Sequence, residues 1–241
     1  MGKTAIVIGV GAGEGLGAAV CRMAGSEGLH VFVGGRTEAK VEAAADAIRA
    51  AGGQATAVVA DTTDEASVSA FVDAAEQTGP IDLAVFNAGN NMPGNPLEME
   101  AEYFETCWRI GCFGGFLFSR EVLRRMVPRG TGTLLLTGAS ASMRGKPNFA
   151  AFTSAKAGLR ALGQSLAREF GPQGIHVAHV VVDGGIDGYR LKTRAPDFAA
   201  RMGEGGLIGL DGLAESYRFL YRQPRNAWTQ ELDLRTHKEQ Y

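Results

Sequence analysis

The sequence predicts an α/β protein: a doubly wound parallel sheet between two layers of helices, forming a single three-layer α/β/α domain. Three observations carry that prediction. Short runs rich in β-branched residues are mostly apolar throughout, as strands buried on both faces must be. Longer stretches of helical length separate them, and parallel neighbouring strands need right-handed crossovers of that kind. Glycine supplies 34 of the 241 residues, against roughly 7% in an average chain, which implies many tight turns and close backbone approaches.

Residues 4–10 (TAIVIGV) read as the first strand, and the glycine-punctuated turn that follows opens a helix over 15–27. A strand over 30–34 leads to a helix over 37–51, with Thr37 placed as its cap and Gly52 and Gly53 as its stop. Strand 55–60 and helix 64–78 repeat the unit, capped by Asp64 and ended by Gly79 and Pro80. After strand 82–87 a long helix is expected over 101–126. Its Phe104, Trp108, Gly111, Gly115, Phe118, Val122 and Met126 fall at spacings of 3 and 4, one stripe of a helix. Strand 132–137, a helix over 149–170 striped by Phe152, Leu159, Leu162, Leu166 and Phe170, and strand 175–182 complete the alternation. Segment 183–212 then carries eight glycines and little apolar periodicity. It follows the carboxyl end of a strand, where ligands bind in such sheets, so it reads as a mobile lid or as a loosely ordered surface loop. A helix over 211–222 and a short strand over 228–234 close the chain.

Composition excludes several functional classes. With 45% apolar and 21% charged residues the chain is not globally disordered, and its glycines do not repeat as in collagen. A formal charge of −2 gives no footprint for nucleic acid or an anionic membrane. Cys21, Cys107 and Cys112 are too few for a disulfide framework and lack metal-ligand spacing, so no metal is expected and a cytoplasmic, reducing setting fits. The apolar stretch at residues 1–10 is too short to span a bilayer.

The run Gly9-Val10-Gly11-Ala12-Gly13-Glu14-Gly15-Leu16-Gly17 joins a strand to a helix. Glycine there lets backbone amides approach a pyrophosphate, and the helix N-terminus adds unpaired N–H groups and positive potential. A tight strand-to-helix turn would use the same residues, but this one opens the first βα unit, the context a dinucleotide site requires. About 20 residues on, where an acidic side chain would hold the ribose of NAD, stand Gly35 and Arg36. A guanidinium suits the 2′-phosphate of NADP, without excluding NAD. Glu14 would oppose that phosphate, and Arg36 also reads as a solvated charge at a helix start.

Several motifs in order resemble the short-chain dehydrogenase/reductase family. They are the loop 10–17, spaced as TGxxxGxG; Asp61 after the third strand; Asn87-Ala88-Gly89 after the fourth; Phe152-x-x-x-Lys156; and the run from Arg168 to Val177. The resemblance covers residues 3–184. It implies a Rossmann-type domain that binds NAD(P), with Gly11, Gly15, Leu16, Gly17, Arg36, Asp61, Asn87, Ala88, Gly89 and Lys156 on the cofactor. It also implies hydride transfer between nicotinamide and a carbonyl or alcohol in a small molecule. The family's catalytic tyrosine, serine and asparagine fall on Phe152, Ala139 and Gly111, so only Lys156 of the tetrad remains. The phenylalanine ring has no proton to exchange, and alanine offers no hydroxyl to a developing oxyanion.

Replacement candidates are few. Ser140 lies one residue beyond the serine position and Asp183 stands where the family has a proline; each is a candidate catalytic group, and Asp183-Gly184 reads equally well as a turn. Among the phenols Tyr103, Tyr189 and Tyr217, Tyr189 in segment 183–212 is best placed. The tyrosine position that related enoyl reductases use is Phe149. Lys156, if desolvated, can serve as an acid itself or act only as an ion-pair partner. Arg144 and Lys146 read as solvated loop charges or as attractors of an anionic substrate, and His179 as a structural histidine in an apolar strand. Two functions remain open: an NADP-dependent oxidoreductase with an altered proton path, or a nucleotide-binding protein without turnover acting as scaffold or sensor. By resemblance the long helix and the helix bearing Phe152 build homodimers or homotetramers.

Overall fold

The alternation of apolar runs and crossovers folds into one parallel sheet of seven strands, in the spatial order β3-β2-β1-β4-β5-β6-β7. The computed structural model describes residues 2–11 and 13–239; Ala12, inside the glycine turn, lies outside the described residues. Strand β1 (Thr4–Ile8) sits between β2 (His30–Gly35) and β4 (Ile81–Phe86), with Ile8 opposite Gly34 on one side and Phe86 on the other. Strands β3 (Gln54–Val59), β5 (Gly132–Thr137), β6 (Ile175–Val182) and β7 (Glu231–Leu234) extend it outward, every pair parallel. The order reverses between β1 and β4. That reversal opens a crevice at the carboxyl edge, where the chain leaves toward opposite faces.

Helices cover both faces. On one lie α1 (Leu16–Ser26), α2 (Glu38–Ala50) and α9 (Leu210–Tyr221), packed on Val7, Val33, Val85 and Leu135 through Val20, Val41, Ile48 and Tyr217. On the other lie α3 (Glu65–Thr78), α5 (Gly114–Met126) and α6 (Ala150–Phe170), where Phe71, Phe118 and Leu159 meet Ile8, Phe86 and Leu136. Each of these large side chains contributes about 1.5–3 kcal/mol by leaving water.

Local expectations hold with instructive exceptions. Asp64 caps α3, its Oδ1 accepting the Ala66 N–H at 3.0 Å, whereas Thr37 occupies the cap position of α2 without a side-chain cap bond. The long helix expected over 101–126 is interrupted: α4 (Ala101–Trp108) passes through a π-helical turn, Arg109–Phe113, before α5. Gly111 lies in that turn against α6, where a Cβ would stand 2.9 Å from Ala155 Cβ. The helical stripe of the sequence could not report this, because one inserted residue shifts register without altering composition. Residues 183–212 hold two short helices, α7 (Tyr189–Arg194) and α8 (Pro196–Met202), and a bridge between Ile186 and Ile208.

Candidate active site at the carboxyl edge of the sheet

Glycine shapes the crevice floor by close approach. Gly9 has φ +89° and packs on the Ala88 amide, and a Cβ at Gly35 would stand 2.5 Å from the Val10 carbonyl oxygen. Asn87 fastens the two central strands across this point: its Nδ2 donates to Gly9 O at 3.1 Å, and its backbone N–H to Ile8 O at 2.9 Å. Gly17, at the start of α1, is held so near Asn87 that a Cβ would lie 3.0 Å from Nδ2. Gly11 and Gly13 are exposed and face open space. Gly15 caps α1 without a side-chain bond, no acid occupies the first turn, and Leu16 is buried beneath. An uncapped helix start beside an open glycine turn is a cradle for a phosphate group.

Two further sequence-derived positions line the same edge. Arg36 is exposed at the end of β2 and has no hydrogen bond or ion pair among the described residues. Asp61, after β3, is half-buried, and its Oδ1 accepts from Thr63 N at 2.9 Å and Thr63 Oγ1 at 2.8 Å.

Lys156 on α6 is the buried charge of the crevice. Its side chain reaches between the ends of β4 and β5, where Nζ donates to Ala88 O at 3.2 Å and Thr137 O at 2.8 Å. No carboxylate pairs with it among the described residues, and its third N–H has no protein acceptor. Burial, aided by the positive charge of Arg190, lowers its pKa to about 8. Gly89 closes the pocket from β4: a Cβ there would stand 3.2 Å from Lys156 Nζ and 3.9 Å from Phe152 Cε2. The Phe152 ring and the lysine thus share one spot, one turn apart on α6.

The remaining candidates are placed less centrally. Ser140 begins a 3₁₀ turn, Ser140–Ser142, and is half-buried; its carbonyl accepts from Met143 N and Arg144 N, and its hydroxyl has no partner among the described residues. Asp183, at the end of β6, is 1% exposed, and its carboxylate is taken by Arg144 Nη2 at 2.8 and 3.0 Å and by Arg235 at 3.4 Å. Arg144, read in the sequence as a solvated loop charge or an attractor of an anionic substrate, ties the β5–α6 loop to β6. Tyr189 is 52% exposed, and its backbone N–H donates to Glu14 O at 2.8 Å, joining segment 183–212 to the glycine turn. Tyr217 is buried on α9, 2.7 Å from Thr137 Oγ1, and Tyr103 donates to Met92 O. His179 is fully buried with Nδ1 3.1 Å from Glu231 Oε2, and burial lowers its pKa to about 4.

Arg190 escaped the sequence reading. It lies on α7, and its Nη1 comes within 3.5 Å of Gly89 O. The signal available was modest: an arginine next to Tyr189 and four residues before Arg194.

The family model for short chain dehydrogenases matches residues 3–194, most of the chain. The chain belongs to that family. Among relatives of this family, cis-4-hydroxycyclohexanecarboxylate dehydrogenase of Sinomonas cyclohexanicum is 33% identical over 222 residues, covering 89% of this chain and 88% of its own. A crystal structure of a short-chain dehydrogenase from Rhodopseudomonas palustris superposes with a TM-score of 0.83 at 37% identity, over 97% of this chain and 98% of that one. Actinorhodin polyketide ketoreductase, crystallised with NADPH, superposes at 0.87 with 26% identity, over 97% and 95%. No helix among the described residues is long and apolar enough to cross a membrane, and no cluster of described residues has the makings of a metal site.

Proposed function

We propose that the protein is an NADP-dependent oxidoreductase acting on the carbonyl or alcohol of a small molecule, in which Lys156 handles the proton directly. One observation carries this reading: Lys156 Nζ is buried at the crevice without a carboxylate partner and with one N–H unclaimed, beside Phe152, which holds no proton. The residues present suit the cofactor. The uncapped start of α1 with the open Gly11 and Gly13 fits a pyrophosphate, Asp61 and Asn87–Gly89 line the edge beyond, and unpaired Arg36 fits a 2′-phosphate. Gly35 has no room for the acidic side chain that would favour NAD. When bound, the cofactor supplies the hydride at its nicotinamide. Residues of this chain orient it, exclude water beneath segment 183–212, and place the Lys156 N–H for a developing alkoxide.

Family resemblance places the usual tyrosine, serine and asparagine at Phe152, Ala139 and Gly111, so the tetrad is reduced to its lysine. Of the other candidates, Ser140 and Tyr189 have hydroxyl groups without a partner among the described residues, while Asp183 is buried and engaged by two arginines. In this reading segment 183–212 is the lid, joined to the glycine turn by the Tyr189 N–H on Glu14 O. A homo-oligomer is supported by exposed Phe104, Trp108 and Phe116 on α4 and α5, beside a groove of about 430 Å³ reaching Leu166 and Phe170; size-exclusion chromatography with light scattering checks it.

Titration with NADPH and NADH by fluorescence, followed by carbonyl, alcohol and enone panels at the nicotinamide absorbance band, tests the function. The reading requires NADPH binding and turnover, with reduction declining above about pH 8 as Lys156 loses its proton. Absence of binding by either cofactor sinks it. A second reading, nucleotide binding without turnover, is favoured by the missing tyrosine proton. Binding without turnover on any panel supports that second reading, and activity gained by Phe152→Tyr with Ala139→Ser would mark a decayed site.

A further inference from the structure

Beside Lys156 the crevice mouth holds two further cations, Arg190 and Arg194, that the cofactor reading does not use. Arg190 Nη1 reaches Gly89 O from α7, and Gly89 is the residue whose α-carbon faces Lys156 Nζ and the Phe152 ring. Arg194, one turn further on, reaches Met92 Sδ at 3.4 Å on the loop after β4. The positive charge of Arg194 bears on Arg190, and Lys156 feels Arg190 in turn. Partial burial, and after it the neighbouring Arg194, hold the Arg190 pKa below its usual value, while the side chain still reaches solvent.

The two aspartates at the start of this segment are committed elsewhere. Asp187 pairs with Lys192 at 2.8 Å, and Asp183 with Arg144 and Arg235. No ion pair to Arg190, Arg194 or Lys156 exists among the described residues. Buried Lys156 and the solvent-reaching Arg190 and Arg194 set three positive charges at one end of the crevice, and an anion placed among them relieves their mutual repulsion. The phosphate cradle lies at the other end, at the start of α1, with Arg36 beyond it on β2. The anion that suits Arg190 therefore belongs to the substrate, whose reacting carbon must sit by Lys156.

We infer that Arg190, seconded by Arg194, anchors a carboxylate on the substrate, so that the protein selects carboxylate-bearing carbonyl or alcohol compounds. The inference rests on the oxidoreductase reading for the position of the reacting carbon. A guanidinium fork matches a carboxylate in two parallel hydrogen bonds, whereas a lysine gives only a point charge. Because the arginine rides on the lid helix, substrate binding and lid position are linked.

The experiment uses benzoate and its uncharged isostere benzamide, titrated onto the protein–NADPH complex and read by reduced-nicotinamide fluorescence. Wild-type protein is expected to bind benzoate at least ten-fold more tightly than benzamide. Arg190→Met should abolish that preference and Arg190→Lys should keep only part of it, both with unchanged NADPH affinity; circular dichroism checks that the variants are folded. Equal binding of the two probes by wild-type protein overturns the inference. So does a loss of NADPH affinity in Arg190→Met, which would assign the arginine to the cofactor phosphates. If NADPH does not bind at all, the oxidoreductase reading fails separately. The anion site is then judged by the benzoate-dependent rise in thermal midpoint of the protein alone: a rise that Arg190→Met removes sustains it, and its absence overturns it.

Discussion

Lys156 is held by two carbonyl oxygens where a buried ammonium would ordinarily seek a carboxylate, and that choice of partners leaves its proton mobile. Lys156→Met should lower turnover by about 10²–10⁴-fold, the usual worth of general acid assistance, while the fold survives; steady-state kinetics beside a urea melt separates the two effects. Arg36 stands alone at the end of β2, so Arg36→Ala should weaken NADPH by roughly ten-fold or more, about 1.4 kcal/mol, and leave NADH nearly unchanged. Competitive fluorescence titration reads that ratio. Asp183 was legible in the sequence as an acid at a strand end, but its two arginine partners come from positions 39 and 52 residues away in opposite directions along the chain. Asp183→Asn is expected to cost roughly 1–3 kcal/mol in chemical denaturation, discounted because Arg144 stays partly in water. Side-chain pairing over such separations leaves no local pattern to read.

The elements themselves were legible because burial on both faces writes an unbroken apolar run, and a crossover helix writes its own length and stops. Strand β6 keeps all eight residues buried, as its apolar sequence requires. The break in the long helix was hidden. Gly111 reads as one more small residue on a stripe, and only contact with Ala155 of α6 shows why a side chain is unwelcome there. Gly111→Asn should therefore destabilise the protein by about 1–3 kcal/mol, measured by urea unfolding, even though asparagine is the residue the family resemblance would place there. The end of the chain followed the same logic. A strand was expected over 228–234, but pairing with β6 begins at Glu231, because Trp228 turns to stack on His176 with ring centroids 5.0 Å apart.

At the scale of the whole molecule, the contact of buried His179 with half-buried Glu231 couples stability to acidity. His179 is neutral in the fold, with a pKa of about 4 against 6.5 when exposed, so between those values only the unfolded chain takes up the proton. Stability should be full above pH 6.5 and fall as the pH drops toward 4, by roughly 2–3 kcal/mol from this residue. The Glu231 carboxyl, held low by Arg160, adds a loss of the same sign in more acid solution. Urea midpoints across pH 4–7 for wild type and His179→Gln test the assignment: the variant's curve should be flatter. The sequence by itself determined the sheet, its crossovers, the glycine turn and the absence of a tyrosine at position 152, since each is written in contiguous residues. Only the tertiary structure decided that Lys156 has no counter-ion among the described residues, that Asp183 pairs with two arginines, and that Arg190 reaches Gly89. Charge balance depends on which distant side chains share a volume, and that is settled by packing.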